Sequence, residues 1–285
     1  MSAVSWLFVP GNDARKMDRA AQSGADALIL DLEDAVAPED KAQARALVTE
    51  ALRNPAPVPR WVRINALGTG LAEADLAAVL PAGPAGIMLP KCEGPEDLDR
   101  LAELMGGQGR ALPVVAIATE TVRALRQLMR RDWSHPLLHA LAWGGEDLAA
   151  DLGAIRNRGS DGRYLGPFSL ARDTALLAAH EAGVEVLDAV FTDFRDAEGL
   201  RAEAEDAAAL GFTGKMAIHP AQIPVIQKAF TPDPARVDWA YRVISAMEGG
   251  GVAQLDGIML DRPHLRQARR ILARAAHPNE TNVSG

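Results

Sequence analysis

Two acids stand directly after two short apolar runs, a placement that suits them for chemistry. Glu120 follows VVAIA (114–118) within Thr119-Glu120-Thr121, and Asp147 follows LHALAW (138–143) within Gly144-Gly145-Glu146-Asp147. Each run has the length and polar bounds of a buried strand, and a segment with helical spacing comes after it. In a parallel sheet that alternates with helices, both acids emerge where strands end, the edge that carries active sites. No lysine lies between them in sequence, and two converging carboxylates favour a hard divalent cation. Magnesium, or manganese in its place, takes one or two protein carboxylates and completes its shell with water and substrate oxygens.

Other polar residues collect at the ends of other apolar runs. Asp31, Glu33 and Asp34 follow ALILDL, Arg63 and Asn65 close RWVRIN, and Lys91 and Glu93 follow GIML. Asp188, Thr192, Asp193 and Asp196 lie at or after 184–191, while Lys215 and His219 flank 216–218. The planar fork of Arg63 can grip a carboxylate at two points, which a lysine cannot do. Each residue also has a plainer role. Glu120 and Asp147 could serve as acids at helix starts, and Arg63 could neutralise Asp31 or Glu33 in a structural ion pair. Asp31, Glu33 and Asp34 suit support of a metal site better than direct ligation. Lys91 could form a Schiff base in a metal-free aldolase, although a carboxylate pair fits a metal better. Cys92 has the character of a small buried residue, His219 suits structure as well as function, and the histidines show no zinc spacing.

These residues need elements to hold them. The pattern predicts strands at 6–9, 27–32, 60–65, 86–89, 114–118, 138–143, 184–191 and 216–218, with helices at 14–23, 38–52, 95–105, 121–131, 170–182 and 197–210. Glycine stops at Gly183 and Gly211 end the last two helices. Strands alternating with helices without a composition break give a (β/α)8 barrel over 1–232, with an open doubly wound sheet as the alternative. No Gly-x-Gly-x-x-Gly follows the first strand, which counts against a dinucleotide fold. An extension is expected over 233–285: a helix at 234–247, a glycine joint at 249–251, a hairpin turning at Asp256-Gly257, a helix at 263–275 and a polar tail at 277–285. A closed barrel has no free edge, so the hairpin is expected outside it, on this subunit or a neighbour. Pro263 at the first helical position would put Arg262 at the cap and Asp261 one residue too early.

The bulk properties narrow the partners. A chain of 285 residues with 48% hydrophobic content and net charge −8 is an ordinary globular protein, ill suited to nucleic acid as a general partner. It has one cysteine, no stretch of membrane-spanning length and no signal-like start, which predicts a cytoplasmic protein.

The runs LFVPGN, DLEDAV, VRINALG, LPKCE, ATET, GGEDLAADLG and GKMAIHPAQI, in this order, resemble the citrate lyase beta subunit-like family of the HpcH/HpaI aldolase superfamily. That superfamily also holds malyl-CoA and citramalyl-CoA lyases. The resemblance spans Ser5 to about Arg274 and departs from the family at Ala118 and Cys92, neither a ligand position. It implies a TIM barrel assembling as a homotrimer or hexamer. It also implies magnesium on Glu120 and Asp147, substrate carboxylate on Arg63, and cleavage or formation of a carbon-carbon bond next to a carbonyl. For a 3-hydroxyacyl thioester that is a retro-Claisen step giving a 2-ketoacid and a thioester enolate. Asp31 and Glu33 stand with Arg63 and Asp261 as the catalytic candidates. Asp261, in GIMLDRP, matches the acid that in malyl- and citramalyl-CoA lyases closes a neighbouring subunit's site and serves as acid or base. Lys16, Arg156, Arg158 and Arg163, the last three in AIRNRGSDGRYLGP, could meet the phosphates of CoA or remain solvated loop charge. The alternatives are a citrate lyase beta subunit acting on an acyl-carrier-protein thioester with partner subunits, and a non-catalytic binding protein on the same barrel.

Overall fold

The computed structural model describes residues 3–275 apart from 108, 110 and 249, so the tail expected at 277–285 and one glycine of the joint lie outside the described residues. Among the described residues eight parallel strands close into a barrel, in chain order all the way round. They are β1 (Ser5–Pro10), β2 (Ala27–Asp31), β3 (Arg60–Arg63), β4 (Gly86–Leu89), β5 (Val114–Ile117), β6 (Leu138–Ala142), β7 (Glu185–Asp188) and β8 (Gly214–Ala217). β8 pairs with β1 through Trp6 and Met216, which closes the ring and removes the open-sheet alternative. The connecting helices are α1 (Ala14–Ala20), α2 (Lys41–Arg53), α3 (Ala72–Val79), α4 (Pro95–Gly107), α5 (Val122–Leu128), α6 (Gly145–Leu152), α7 (Gly166–Ala182) and α8 (Ala197–Leu210).

Alternation along the strands builds two layers. Ala27 and Ile29, Val115 and Ile117, and Ala140 and Ala142 share one buried cluster with Trp6, Trp61, Met88, Leu187 and Met216. Trp6 and Trp61 fill its width, their ring centroids 5.2 Å apart and tilted by 59°. Gly86 admits the Trp61 ring, because a Cβ there would lie 2.1 Å from the Trp61 ring and 2.6 Å from the Pro113 carbonyl.

The differences from the sequence reading have local causes. Strands β5 and β6 stop one residue short of the runs that announced them, at Ile117 and Ala142. Helix α3 had no counterpart because Asp75, in mid-helix, is fully buried: it takes the Asn65 N–H at 2.8 Å and Asn65 Nδ2 at 2.6 Å, and Arg45 Nε at 2.7 Å. A polar residue at a core position spoils apolar spacing, yet here it clasps the end of β3. Helix α7 starts at Gly166 rather than 170, with a proline in its first turn. Gly183 and Gly211 end their helices in the left-handed conformation, as expected.

The chain divides into two compact units, one running to Ile226 and the other starting at Gln227. Helix α9 (Ile223–Phe230) spans that division. The second unit holds α10 (Pro234–Ala246), the antiparallel hairpin of β9 (Ala253–Leu255) and β10 (Ile258–Leu260), and α11 (Arg262–Ala275). Ala240, Val243, Met247, Leu260 and Ala268 form its own core. Asp256 and Gly257 both take positive φ, 51° and 80°, as the two-residue turn requires. The cap argument is corrected. Helix α11 begins at Arg262, and Leu265 donates to the Asp261 carbonyl at 3.3 Å, so Asp261 itself takes the capping position. Its carboxylate lies 2.7 Å from His264 Nδ1, a local partner that a proline-based register did not foresee.

The Gly86 contact yields a test. Gly86→Ala should lower stability by about 2 kcal/mol, since Trp61 is locked in the barrel centre and overpacking costs on that order. Urea unfolding measures it, and a loss near zero would show that Trp61 can move aside.

Candidate active site

The strand ends converge on a small cavity of about 80 Å³, lined by Arg63, Glu120 and Asp147 on its polar side and by Phe8, Trp143 and Tyr164 among its apolar walls. Glu120 lies three residues past β5 and directly before Thr121, the cap of α5, which accepts from Ala124 N at 3.0 Å. Thr121 thus takes the capping role and leaves Glu120 free for the cavity. Asp147 lies in the first turn of α6, where the helix N-terminus favours an acid and the cavity also receives it. Gly144 lets the two come close, because a Cβ there would stand 2.8 Å from Glu120 Cγ.

Arg63 is held by both supporting acids. Its Nε and Nη2 reach Asp31 Oδ1 and Oδ2 at 2.8 and 2.6 Å, a two-point grip across paired strands. Its Nη1 lies 2.9 Å from Glu33 Oε2 as an ion pair without hydrogen-bond geometry, so that buried oxygen has no hydrogen-bond donor. Below the guanidinium lies the Phe8 ring, 4.8 Å from centroid to Cζ. The ion pair expected of Arg63 is therefore formed. It also fixes the plane of a guanidinium that keeps N–H bonds for a ligand, since only part of its five-donor fork is engaged.

Lys91 corrects one premise. No lysine stands between the two acids in sequence, but Lys91 enters from the end of β4, its Nζ 3.2 Å from Asp147 Oδ1, 3.6 Å from Asp34 Oδ2 and hydrogen-bonded to Glu33. Its backbone sits at φ 49°, which aims its N–H at Glu120 Oε2, 2.5 Å away. A strained residue held this way is characteristic of functional sites. Burial would lower the Lys91 ammonium, but Glu33, then Glu120 and Asp147, hold it well above the usual lysine range. A Schiff-base nucleophile needs a free amine, so the geometry opposes that reading.

The charges leave room for a cation. Five acids, Asp31, Glu33, Asp34, Glu120 and Asp147, face three cations, Arg63, Lys91 and Lys41, a formal deficit of two positive charges. The Glu120 carboxyl shows it: burial first, then Glu33 and Asp147, push its pKa up to about 8. Burial likewise raises Glu33. Among the described residues no group of three or more His, Cys, Asp or Glu side chains converges as a metal site. Two carboxylates beside an open cavity suit magnesium, which keeps positions for water and substrate, better than a closed structural ion. The residues present therefore fit that ion, with Glu120 and Asp147 as the groups that could hold it.

The residues proposed for phosphates separate. Lys16 lies exposed on α1, 3.6 Å from Asp13, and Arg156 and Arg163 are exposed on the loop. Arg158 is a correction, because it turns inward to Glu203 Oε2 at 2.6 Å, covers the Tyr164 ring at 3.8 Å and donates to the Tyr164 hydroxyl. His219 caps the turn Pro220–Gln222 and stacks on Phe194, a structural role. Cys92 is buried, which pushes its thiol up and leaves it inert.

Sequence reasoning missed a buried ionic circuit behind the cavity. Lys215 and Asp188 are both fully buried and 2.9 Å apart. Lys215 also reaches Glu203 at 2.8 Å, Arg172 grips Asp188 at 2.9 and 3.1 Å, and Trp143 Nε1 donates to Asp188 at 2.7 Å. Burial alone would raise the Asp188 carboxyl, but Lys215 and Arg172 hold it well below the usual range. The only signal was that Asp188 and Lys215 stand at strand ends; nothing in the spacing paired them.

Comparison with known proteins gives the site a context. Residues 4–220 match the family model described as HpcH/HpaI aldolase/citrate lyase. Mitochondrial citramalyl-CoA lyase of Rattus norvegicus is 34% identical, across 96% of this chain and 86% of its own length. The (3S)-malyl-CoA thioesterase of Cereibacter sphaeroides is 37% identical, across 95% and 94%. A crystal structure of protein CitE from Mycobacterium tuberculosis, in complex with magnesium, acetoacetate and coenzyme A, superposes with a TM-score of 0.84 at 37% identity, covering 96% of this chain and 98% of that one.

The ionic circuit makes a stability prediction. Asp188→Asn is nearly isosteric yet leaves Lys215, Arg172 and Arg158 facing Glu203 alone, so it should cost about 3–5 kcal/mol in urea unfolding. Adding Lys215→Met should return part of that loss. A single variant as stable as the wild type would show that the circuit does not depend on this carboxylate.

Proposed function

The chain belongs to the HpcH/HpaI aldolase/citrate lyase family, and from that premise we propose that it is a magnesium-dependent lyase of a 3-hydroxyacyl-CoA thioester. Citramalyl-CoA or malyl-CoA is the substrate class, yielding acetyl-CoA and a 2-ketoacid, or the reverse. The observation that carries this reading is the buried, cation-deficient pair Glu120 and Asp147 sharing one cavity with a clamped arginine. Glu120 and Asp147 are the residues that would hold magnesium, which would supply Lewis acidity to a substrate oxygen.

The chain's own residues do the rest. Arg63 offers its unengaged N–H bonds to the substrate carboxylate, and Asp31 and Glu33 keep the guanidinium in one plane, so little ordering remains to be done on binding. Its burial keeps water away and strengthens the charge-assisted contact. Lys91 holds Glu120 through its backbone and Glu33 through its ammonium.

A proton also moves at the α-carbon of the thioester, and the cavity lining offers little to move it. Apart from Arg63, Glu120 and Asp147, its titratable residues are Glu146 and Tyr164. Glu146 Oε1 accepts from Asn157 at 2.7 Å. Burial, with Glu203 and Asp188, pushes the Tyr164 phenol far up, which disqualifies it as a base near neutrality. The match of Asp261 to the family's acid favours Asp261 of a neighbouring subunit, paired with His264, as the acid or base in a homotrimer or hexamer, with Glu146 the alternative inside the cavity. Exposed Lys16, Arg156 and Arg163 remain candidates for the phosphates of CoA.

A second reading has its own support in the thioesterase relative at 37% identity: hydrolysis of the thioester instead of cleavage. The beta-subunit alternative, which needs an acyl-carrier-protein thioester and partner subunits, has support in a citrate lyase subunit beta-like relative from Mycobacterium tuberculosis at 38% identity.

One assay separates these readings. The purified chain is given malyl-, citramalyl- and citryl-CoA with magnesium, and the products are identified. A ketoacid with acetyl-CoA, abolished by EDTA and restored by magnesium or manganese, is the expected result. Free CoA with an intact hydroxy acid would point to the thioesterase, and inactivity until a carrier protein is added would point to the beta subunit. Full activity in EDTA would overturn the metal reading. Asp261→Ala and Glu120→Ala should each be inactive, whereas their mixture should regain part of the activity once subunits exchange. Exchange without recovery would show that Asp261 does not serve a neighbour's site.

A further inference from the structure

Two aromatic side chains line the cavity. Trp143 is fully buried, and its one N–H is taken by Asp188 at 2.7 Å. Tyr164 meets it edge to face, centroids 4.8 Å apart, and its hydroxyl is taken by Arg158. Neither Asp188 nor Arg158 lines the cavity. The contacts close on themselves: Trp143 to Asp188, Asp188 to Lys215, Lys215 to Glu203, Glu203 to Arg158, Arg158 to Tyr164 and Tyr164 back to Trp143. Tyr164 stands directly before Leu165, the cap of α7; its carbonyl accepts from Ser169 Oγ at 3.0 Å and its backbone bridges to Arg158, so the helix start holds its backbone and the Arg158 contact holds the ring.

We infer that Tyr164 and Trp143 form a rigid wall that gauges the alkyl substituent of the 2-ketoacid, and that Arg158 is the positioning residue that sets the wall. The inference rests on the proposed lyase reading. Arg63 and the carboxylate pair fix the polar end of the ketoacid, so the substituent on its keto carbon cannot slide along the cavity to avoid a wall. A wall tied on all sides does not yield either. Each extra methylene pressed against such a surface changes affinity by roughly ten- to two-hundredfold, whereas a mobile loop tyrosine would swing aside and discriminate little.

The test is equilibrium binding, measured by calorimetry on the full chain with magnesium present and no CoA, so that it does not depend on turnover. The ligands are glyoxylate, pyruvate, 2-oxobutyrate and 2-oxovalerate. Wild type should lose at least tenfold in affinity from pyruvate to 2-oxovalerate. Tyr164→Ala and the safer Tyr164→Leu should flatten that ladder to within about threefold, because the wall is gone. Tyr164→Phe should keep its slope, because the ring still stands on Trp143. Arg158→Gln should flatten it with the ring present, while magnesium affinity stays unchanged. A steep ladder in wild type that Tyr164→Ala merely shifts as a whole would overturn the inference and leave the lyase reading intact. So would a flat wild-type ladder. Failure of wild type to bind any of these ketoacids would remove the lyase reading and the inference together.

Discussion

Burying Glu120 at the mouth of the barrel, beside other carboxylates, is the constraint from which the rest of the site follows. A charged group taken out of water is costly unless it is paired and hydrogen-bonded. Here the pairing is partial, and its pKa of about 8 records the strain. Arg63 and Lys91 offset part of the acidic cluster, each from a neighbouring strand end, and each is immobilised in doing so. What they leave is a deficit that a divalent ion and an anionic substrate complete between them. Arg63 is as much a product of this arrangement as a cause of it, because the acids that hold its plane also contribute to the deficit.

The closed barrel is what makes such crowding affordable. Strands of nearly equal length end together, so residues far apart in sequence are brought to one edge without loops having to reach. Glycine supplies the close approaches: Gly144 lets Glu120 lie against the start of α6, and Gly86 lets Trp61 fill the barrel interior. Function at the mouth thus depends on packing at the centre, since displaced strands would part Asp31 from Arg63.

Much of this was legible in the sequence, and what was missed has a common cause. Apolar runs ending in acids located each strand, because parallel strands are buried on both faces and their ends change character abruptly. Glu120, Asp147, Arg63, Asp31 and Glu33 were therefore found at the mouth by position alone. The failures were polar residues that serve as core. Asp75 hid a helix, Lys215 and Asp188 looked like rim residues, and Arg158 looked like a free loop cation although it is paired inside. Sequence periodicity registers a charge as exposed, and only the fold shows that its partner is waiting. Lys91 was considered for its amine alone, whereas its left-handed backbone does as much by turning an N–H toward Glu120.

The two charge clusters differ in what they ask of the protein. At the mouth the charges are out of balance and open to a cavity, which suits binding. In the circuit behind Trp143 every formal carboxylate has more than one cationic partner, so it binds nothing and holds position. Hydrophobic replacements of such a lattice are often neutral or stabilising, so stability alone is a weak account of it. Direction is a better one. Apolar contacts would bury Trp143 and Tyr164 equally well but would not fix where their edges point, whereas hydrogen bonds to charged partners do. A site that orients one end of its substrate by charge can reject by shape at the other only if that second surface stays still, and the circuit supplies that stillness from behind the wall.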